Sequence, residues 1–376
     1  MYKVIQWATG NVGRHALRAI IESPELELVG VYTYNPAKAG QDAGELAGLP
    51  PTGIKLSNDP AEVLAADADV VNYNALGVTK NALDEPVADI ARFLRSGKNV
   101  TTTAIDHFLY PAAAGGGMAT PGLLAEIEAA CEEGQTTFYQ SGATPGFALD
   151  FWPIAMSRVA RRIKKVTVTE IVDLHEYGSP SVLREFMGFA RPPEPLAPFF
   201  VMMSDIKASA YYPSMRMVSD QLKLGVDDYT FSYEFALTEE PYDQASGWVE
   251  TGTVSVAKVS YTGYRGEHEV FELRFIWRMT DTVAPDWPAG DGRWILNIDG
   301  DPRIDAEVQV TTEWDARRAT SIMTAMAPVN AIPAVVAASP GIKTQVDLPF
   351  FGGGYGLGLR AGTCGGDGLR VARGIG

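Results

Sequence analysis

Cysteine and histidine are scarce: Cys131 and Cys364, with His15, His107, His175 and His268, in 376 residues. Neither cysteine lies in a CxxC pair or a Cys/His cluster, and no HExxH spacing occurs. A disulfide framework and a zinc site are therefore not expected, and no metal is assigned. Positive charge is also short, with 31 Lys and Arg against 46 Asp and Glu, a formal net charge of −15. Nucleic acid and anionic membrane both select a basic face, so neither is expected as a partner. No uninterrupted apolar run approaches ~18 residues, so no membrane-spanning helix is expected. The first residues carry no basic region followed by a long apolar run, which predicts no secretory signal and a cytoplasmic location.

What is present is an ordinary globular composition, 46% hydrophobic and 20% charged. At ~100–200 residues per domain, the length predicts two domains. Residues 1–152 alternate between strand and helix patterns. "YKVIQWA" is a short apolar run, and in "GRHALRAIIES" Leu17, Ile20 and Ile21 recur on one helical face. "TPGLLAEIEAACEEG" opens with Thr120 as N-cap and Pro121 at the first helical position, and ends at Gly134. Such alternation implies βαβ units and a mostly parallel sheet. Over 153–315 the pattern changes to long β-branched and aromatic runs such as "KKVTVTEIVDLH" and "EHEVFELRFIWRMT", which predict antiparallel strands in a separate α+β domain. Residues 316–351 read as a helical return to the first domain, with Pro328 and Pro333 as breaks or kinks. Residues 352–376 form a Gly-rich tail without periodicity. The fold class expected is α/β, a Rossmann-type parallel sheet with a second α+β domain.

"VIQWATGNVGRHAL", Val4–Leu17, resembles a dinucleotide-binding turn, with Ala8 where the first glycine of the fingerprint usually stands. Gly10 would let the backbone approach a pyrophosphate and Gly13 would let the helix pack on the strand. The N–H groups of Thr9, Asn11 and Val12, with the helix dipole, would hold phosphate. At the end of the second strand, "YTYNPAKAG" offers Asn35 and Lys38 but no carboxylate for the ribose 2′-hydroxyl. Lys38 either pairs with a 2′-phosphate or is an ordinary exposed lysine. The expected cofactor is NADP or NAD.

These segments, together with "VGVYTYNPAKAGQDAGEL", "GATPGFALD" and "PVNAIPAVVAASPGIKTQVDLP", resemble the dihydrodipicolinate reductase-like family, in its branch with 2,4-diaminopentanoate dehydrogenase and the native amine dehydrogenases. The resemblance implies an NAD(P)-dependent oxidoreductase that moves a hydride to or from a C=N or C–N group of a small molecule. It also implies homodimerisation through the second domain. In the amine dehydrogenases a glutamate follows the strand that here reads "NVTTTAID"; this chain has Asp106 followed by His107. Either residue suits proton transfer: Asp106 for amine chemistry, His107 for a carbonyl reductase. Alternatively the pair caps a strand end, in a protein that binds the cofactor as a sensor without turnover. Asn74, Ala75 and Leu76 in "NYNALG", and Thr144 and Pro145 in "SGATPGFALD", are placed to face the nicotinamide. Asp150, and the cluster His175, Glu176 and Tyr177, are read as structural or as pocket-lining.

Overall fold

The apolar runs of the first domain pair side by side and in parallel. In the computed structural model, which describes residues 1–77, 83–113, 120–312 and 319–354, β1 (Tyr2–Trp7), β2 (Leu26–Tyr32), β3 (Leu56–Ser57), β4 (Val70–Tyr73), β5 (Asn99–Thr102) and β6 (Thr137–Gln140) join the late strand Gly341–Lys343 in one sheet. Its order is Gly341–Lys343, β6, β5, β4, β1, β2, β3, and every pair is parallel. Both faces are covered, as an all-parallel sheet requires. The helices Asn11–Glu22 and Ala319–Ala337 close one face around Val4, Ile20, Val70, Val329 and Ile332. The helices Asp84–Arg95 and Pro121–Gly134 close the other around Ile5, Val71, Ile90, Val100 and Ile127. The strand order reverses between β1 and β4, which opens a crevice at their carboxyl ends.

The helix Ala319–Ala337 is long and apolar enough to cross a membrane by length and composition. It lies instead against the sheet and the helix Asn11–Glu22. Neither Pro328 nor Pro333 breaks it: one helix runs through both. A proline inside a helix costs ~3 kcal/mol, and burial of Val329, Ala331, Ile332 and Val335 against the first domain offsets that cost.

The second sheet contains β7 (Arg162–Asp173), β8 (Asp228–Leu237), β9 (Val254–Arg265), β10 (His268–Arg278), β11 (Arg293–Asp301) and β12 (Ile304–Gln309), in the order β12, β11, β7, β10, β9, β8. It is mixed, not wholly antiparallel, because β7 and β10 pair in parallel. The chain leaves β7 through the helices Pro198–Ser204 and Tyr212–Gln221, enters at the far edge as β8, and turns back twice before reaching β10. β8 runs the same way as β7, so the two reversals bring β10 back to that direction. Alternate residues of three central strands, among them Val166, Val168, Leu273, Phe275, Trp294 and Leu296, pack with Phe200, Met215 and Val218 into the largest core.

Candidate active site

The turn after β1 is held in an unusual conformation. Ala8 has φ +75°, the left-handed region that glycine adopts freely. The position still makes the tight turn of the fingerprint, with an alanine. A buried amide network steadies it. Gln6 Nε2 donates to the Ala8 carbonyl (3.0 Å) and to Asn74 Oδ1 (3.0 Å). Asn72 donates to Gln6 Oε1 (2.8 Å) and Asn74 Oδ1 (2.7 Å), and Asn74 donates to Thr103 (3.0 Å). Gly13 is required sterically: a Cβ there would stand 2.3 Å from the Ala8 carbonyl oxygen. At Gly10 a Cβ would meet nothing within 4 Å, so its backbone faces open space. No side chain caps the helix Asn11–Glu22, and its first N–H groups remain available to an anion. An open glycine over an uncapped helix start fits a dinucleotide pyrophosphate.

Around this turn, Thr9 shares a hydrogen bond with Thr33 (2.9 Å), and Asn11 reaches Ser321 (2.8 Å). Val12 packs in the core beneath. Asn35 accepts from the Ala37 N–H (3.0 Å), and Lys38 Nζ donates to the Thr9 carbonyl (2.9 Å), so Lys38 lies across the glycine turn. Ala75 is half-buried, and Leu76 is 79% exposed at the end of β4.

A second constellation lies where the sheet's carboxyl ends meet the second domain. Asp106 follows β5 and accepts from Gln140 Nε2 (2.8 Å). It keeps some accessible surface, yet protein surrounds its carboxyl. Burial, and then the charge of Asp150, push its pKa up to about 7. Asp150 is fully buried. It accepts from the Gly146 N–H (3.0 Å), the Phe151 N–H (2.8 Å) and the Ser214 hydroxyl (2.5 Å), so it ties the turn at Pro145 to the second domain. Burial outweighs these bonds and raises Asp150 to about 7. Glu170, in the middle of β7, is also buried and raised to about 7 by burial. Trp294 Nε1 on β11 donates to it (3.1 Å), and Thr144 hydrogen-bonds it from the first domain.

His107 is placed differently. Its Nε2 pairs with the Ala208 carbonyl (3.1 Å), which fixes Nε2 as the protonated nitrogen. Burial lowers its pKa and keeps the ring neutral. Thus Asp106, Thr144 and Pro145 belong to one interdomain cluster, while the His107 ring is turned to the backbone of the second domain. His175 and Glu176 approach to 3.8 Å, both half-exposed, with His175 Nδ1 on the Met279 carbonyl. Cys131 is buried, and Cys364 lies outside the described residues, as does the tail beyond residue 354. Among the described residues no group of three or more His, Cys, Asp or Glu is placed to hold a metal.

The sequence reading missed Glu170, Gln140, Ser214, Trp294 and Tyr211. For Glu170 a signal existed. It shares the strand face of Val166 and Val168, so it is a carboxylate in a core-facing register.

A dinucleotide-type turn facing a crevice lined by titratable groups defines an NAD(P)-dependent oxidoreductase. The chain belongs to the family of dihydrodipicolinate reductase-like dehydrogenases. Residues 4–84 match the dihydrodipicolinate reductase N-terminus, and residues 147–353 match the 2,4-diaminopentanoate dehydrogenase C-terminal domain. An amine dehydrogenase of Streptomyces virginiae is 33% identical over 93% of this chain and 96% of its own. A 4-hydroxy-tetrahydrodipicolinate reductase of Synechocystis is 38% identical over 16% of this chain and 22% of its own. The structure of an amine dehydrogenase from Mycobacterium smegmatis shares the fold, with a TM-score of 0.69 at 21% identity over 93% of this chain and 96% of that one.

Proposed function

We propose that the protein interconverts a small carbonyl compound plus ammonia with the corresponding amine. The observation that carries this reading is a charge deficit. Asp106, Asp150 and Glu170 are each surrounded by protein, Asp106 within the electrostatic reach of Asp150, and among the described residues no Lys or Arg contributes to any of them. Buried carboxyls without a cation are costly. A substrate ammonium or iminium supplies the missing positive charge, and a substrate carboxylate would find no partner. The amine dehydrogenase that covers nearly the whole chain supports the same chemistry.

When bound, the nicotinamide supplies or takes the hydride. Gly10 to Gly13 with Thr9 would hold the pyrophosphate, and Asn35 and Lys38 would face the adenosine ribose. With no carboxylate there to repel a 2′-phosphate, the reading favours NADP and admits NAD. Ala75, Leu76, Thr144 and Pro145 would flank the nicotinamide. Asp106 accepts hydrogen bonds from the substrate nitrogen and moves its protons, a role suited by a pKa near neutrality. His107 positions the segment after β5 through Ala208. The reading includes a cytoplasmic homodimer, to be checked by sedimentation for twice the mass of the chain.

The test is NAD(P)H consumption with a panel of aldehydes and ketones, with and without ammonium. Turnover that requires ammonium is expected. Turnover without it would assign a carbonyl reductase instead. Cofactor fluorescence change without any turnover would favour a sensor.

A further inference from the structure

Glu170 projects from the second domain onto the turn that follows β6. Its strand neighbours are Trp294 on β11 and Phe275 on β10. The Trp294 indole N–H is shared between Glu170 (3.1 Å) and the Thr144 hydroxyl (3.1 Å), and Thr144 itself hydrogen-bonds Glu170. Tyr211 packs on Phe275, with ring centroids 4.5 Å apart, and its phenol lies in the electrostatic reach of Glu170, Tyr261 and Asp106. Among the described residues the Tyr211 hydroxyl makes no hydrogen bond, whereas Tyr261 is bonded to Ser209 and the Met203 carbonyl. Among the described residues the groups around Glu170 are thus Thr144, Trp294, Phe275 and Tyr211, with Asp106 and Tyr261 also acting on Tyr211, and no cation is among them. Glu170 and Asp106 both act electrostatically on the Tyr211 phenol, and burial holds each of the two carboxyls toward its protonated form.

We propose that Glu170 is the acid that expels water during amination, while Asp106 serves the nitrogen. This rests on the amine reading above. Ammonia's nitrogen bonds to the carbonyl carbon and sheds one proton to Asp106, which returns it to the oxygen. Glu170 gives a second proton to the hydroxyl so formed. The C–O bond breaks with its electron pair on oxygen, water leaves, and the nitrogen lone pair closes the C=N bond. A bound NAD(P)H would then supply hydride to that carbon, and solvent would reload Glu170 with a proton. In the oxidative direction Glu170 is the base that activates water. The Tyr211 hydroxyl, on which both carboxyls act and which has no hydrogen-bond partner among the described residues, can hold the departing or attacking water.

The experiment compares two substrates in wild type, Glu170→Gln and Glu170→Asp. One is a ketone with ammonium, which must lose water. The other is a preformed cyclic imine such as 2-methyl-1-pyrroline, which has no hydroxyl to lose. Glutamine keeps an acceptor for Trp294, so the wall is preserved, and NAD(P)H fluorescence checks that the cofactor still binds. Glu170→Gln should lower kcat on the ketone at least 100-fold, reduce imine turnover by less than fivefold, and remove the alkaline limb of the ketone pH profile. Glu170→Asp should restore part of the ketone rate and that limb. Equal losses on both substrates, or no loss on the ketone, would overturn the assignment of Glu170. If wild type turned over neither substrate, the amine reading itself would fall, whatever the variants did.

Discussion

The two halves of the site are built on opposite physical principles. Around the β1 turn the buried side-chain amides are neutral and matched. Gln6, Asn72, Asn74, Thr101 and Thr103 satisfy one another and pin the Ala8 carbonyl. At the interdomain cluster three carboxyls are buried, and among the described residues no Lys or Arg contributes to any of them. A matched network is rigid and insensitive to pH, which suits a cradle for a ligand that must bind in one pose. A mismatched cluster is poised near neutrality, which suits a place where protons move. Changes at the cradle should therefore act on cofactor affinity, and changes at the cluster on turnover and pH dependence.

The largest effect expected is at Asp106. Asp106→Asn keeps the size of the side chain and would remove the proton transfer proposed for it, a contribution worth ~10²–10⁴ in rate. We expect kcat to fall ~10³-fold while NAD(P)H affinity, read by fluorescence titration, stays within threefold. A loss of cofactor affinity as large as the loss of rate would erase the distinction between the two halves. The converse change is Gly13→Ala, whose Cβ would collide with the Ala8 carbonyl. Overpacking of this kind costs ~1–3 kcal/mol. Cofactor affinity should weaken at least tenfold, with a lowered Tm.

The contrast also explains what was legible in the sequence. The nucleotide turn is local: Ala8, Gly10 and Gly13 lie within six residues, and their glycine chemistry reads directly. So do the Thr120 cap and the end at Gly134. The cluster is assembled from Asp106, Asp150, Glu170, Tyr211 and Trp294, which only the tertiary fold brings together. Glu170 is hidden inside a strand pattern dominated by β-branched residues, and its partner Trp294 lies in β11, over 120 positions away. The parallel pairing of β7 with β10 was equally hidden, since direction depends on the path of the chain between them and not on either strand's pattern.

A medium effect is expected on stability. The folded-state pKa of Glu170, about 7, is raised above its ordinary value near 4.3. The folded protein therefore holds a proton that the unfolded chain releases, and stability declines as pH rises from about 4 to 7, then levels off. Glu170→Gln removes that decline. The cofactor-free variant should be more stable than wild type at pH 8 by ~1–3 kcal/mol and indistinguishable from it at pH 4. Denaturant unfolding at the two pH values checks this. An equal change at both would mean that the effect is packing and not protonation.

The smallest effect is expected at Ala8, where the cradle departs from the usual glycine. The left-handed conformation at φ +75° costs a residue with a Cβ about 1–2 kcal/mol. Ala8→Gly removes that strain but adds freedom to the unfolded chain, worth ~0.4–1 kcal/mol in the other direction. The terms nearly cancel, so Tm should move by no more than a few degrees and cofactor affinity by less than threefold. This follows from the amide network: Gln6 holds the Ala8 carbonyl whichever residue supplies it. If Ala8→Gly instead weakened cofactor binding tenfold, the methyl group itself would shape the cradle. The turn would then depend on side-chain packing as well as on backbone conformation and hydrogen bonding.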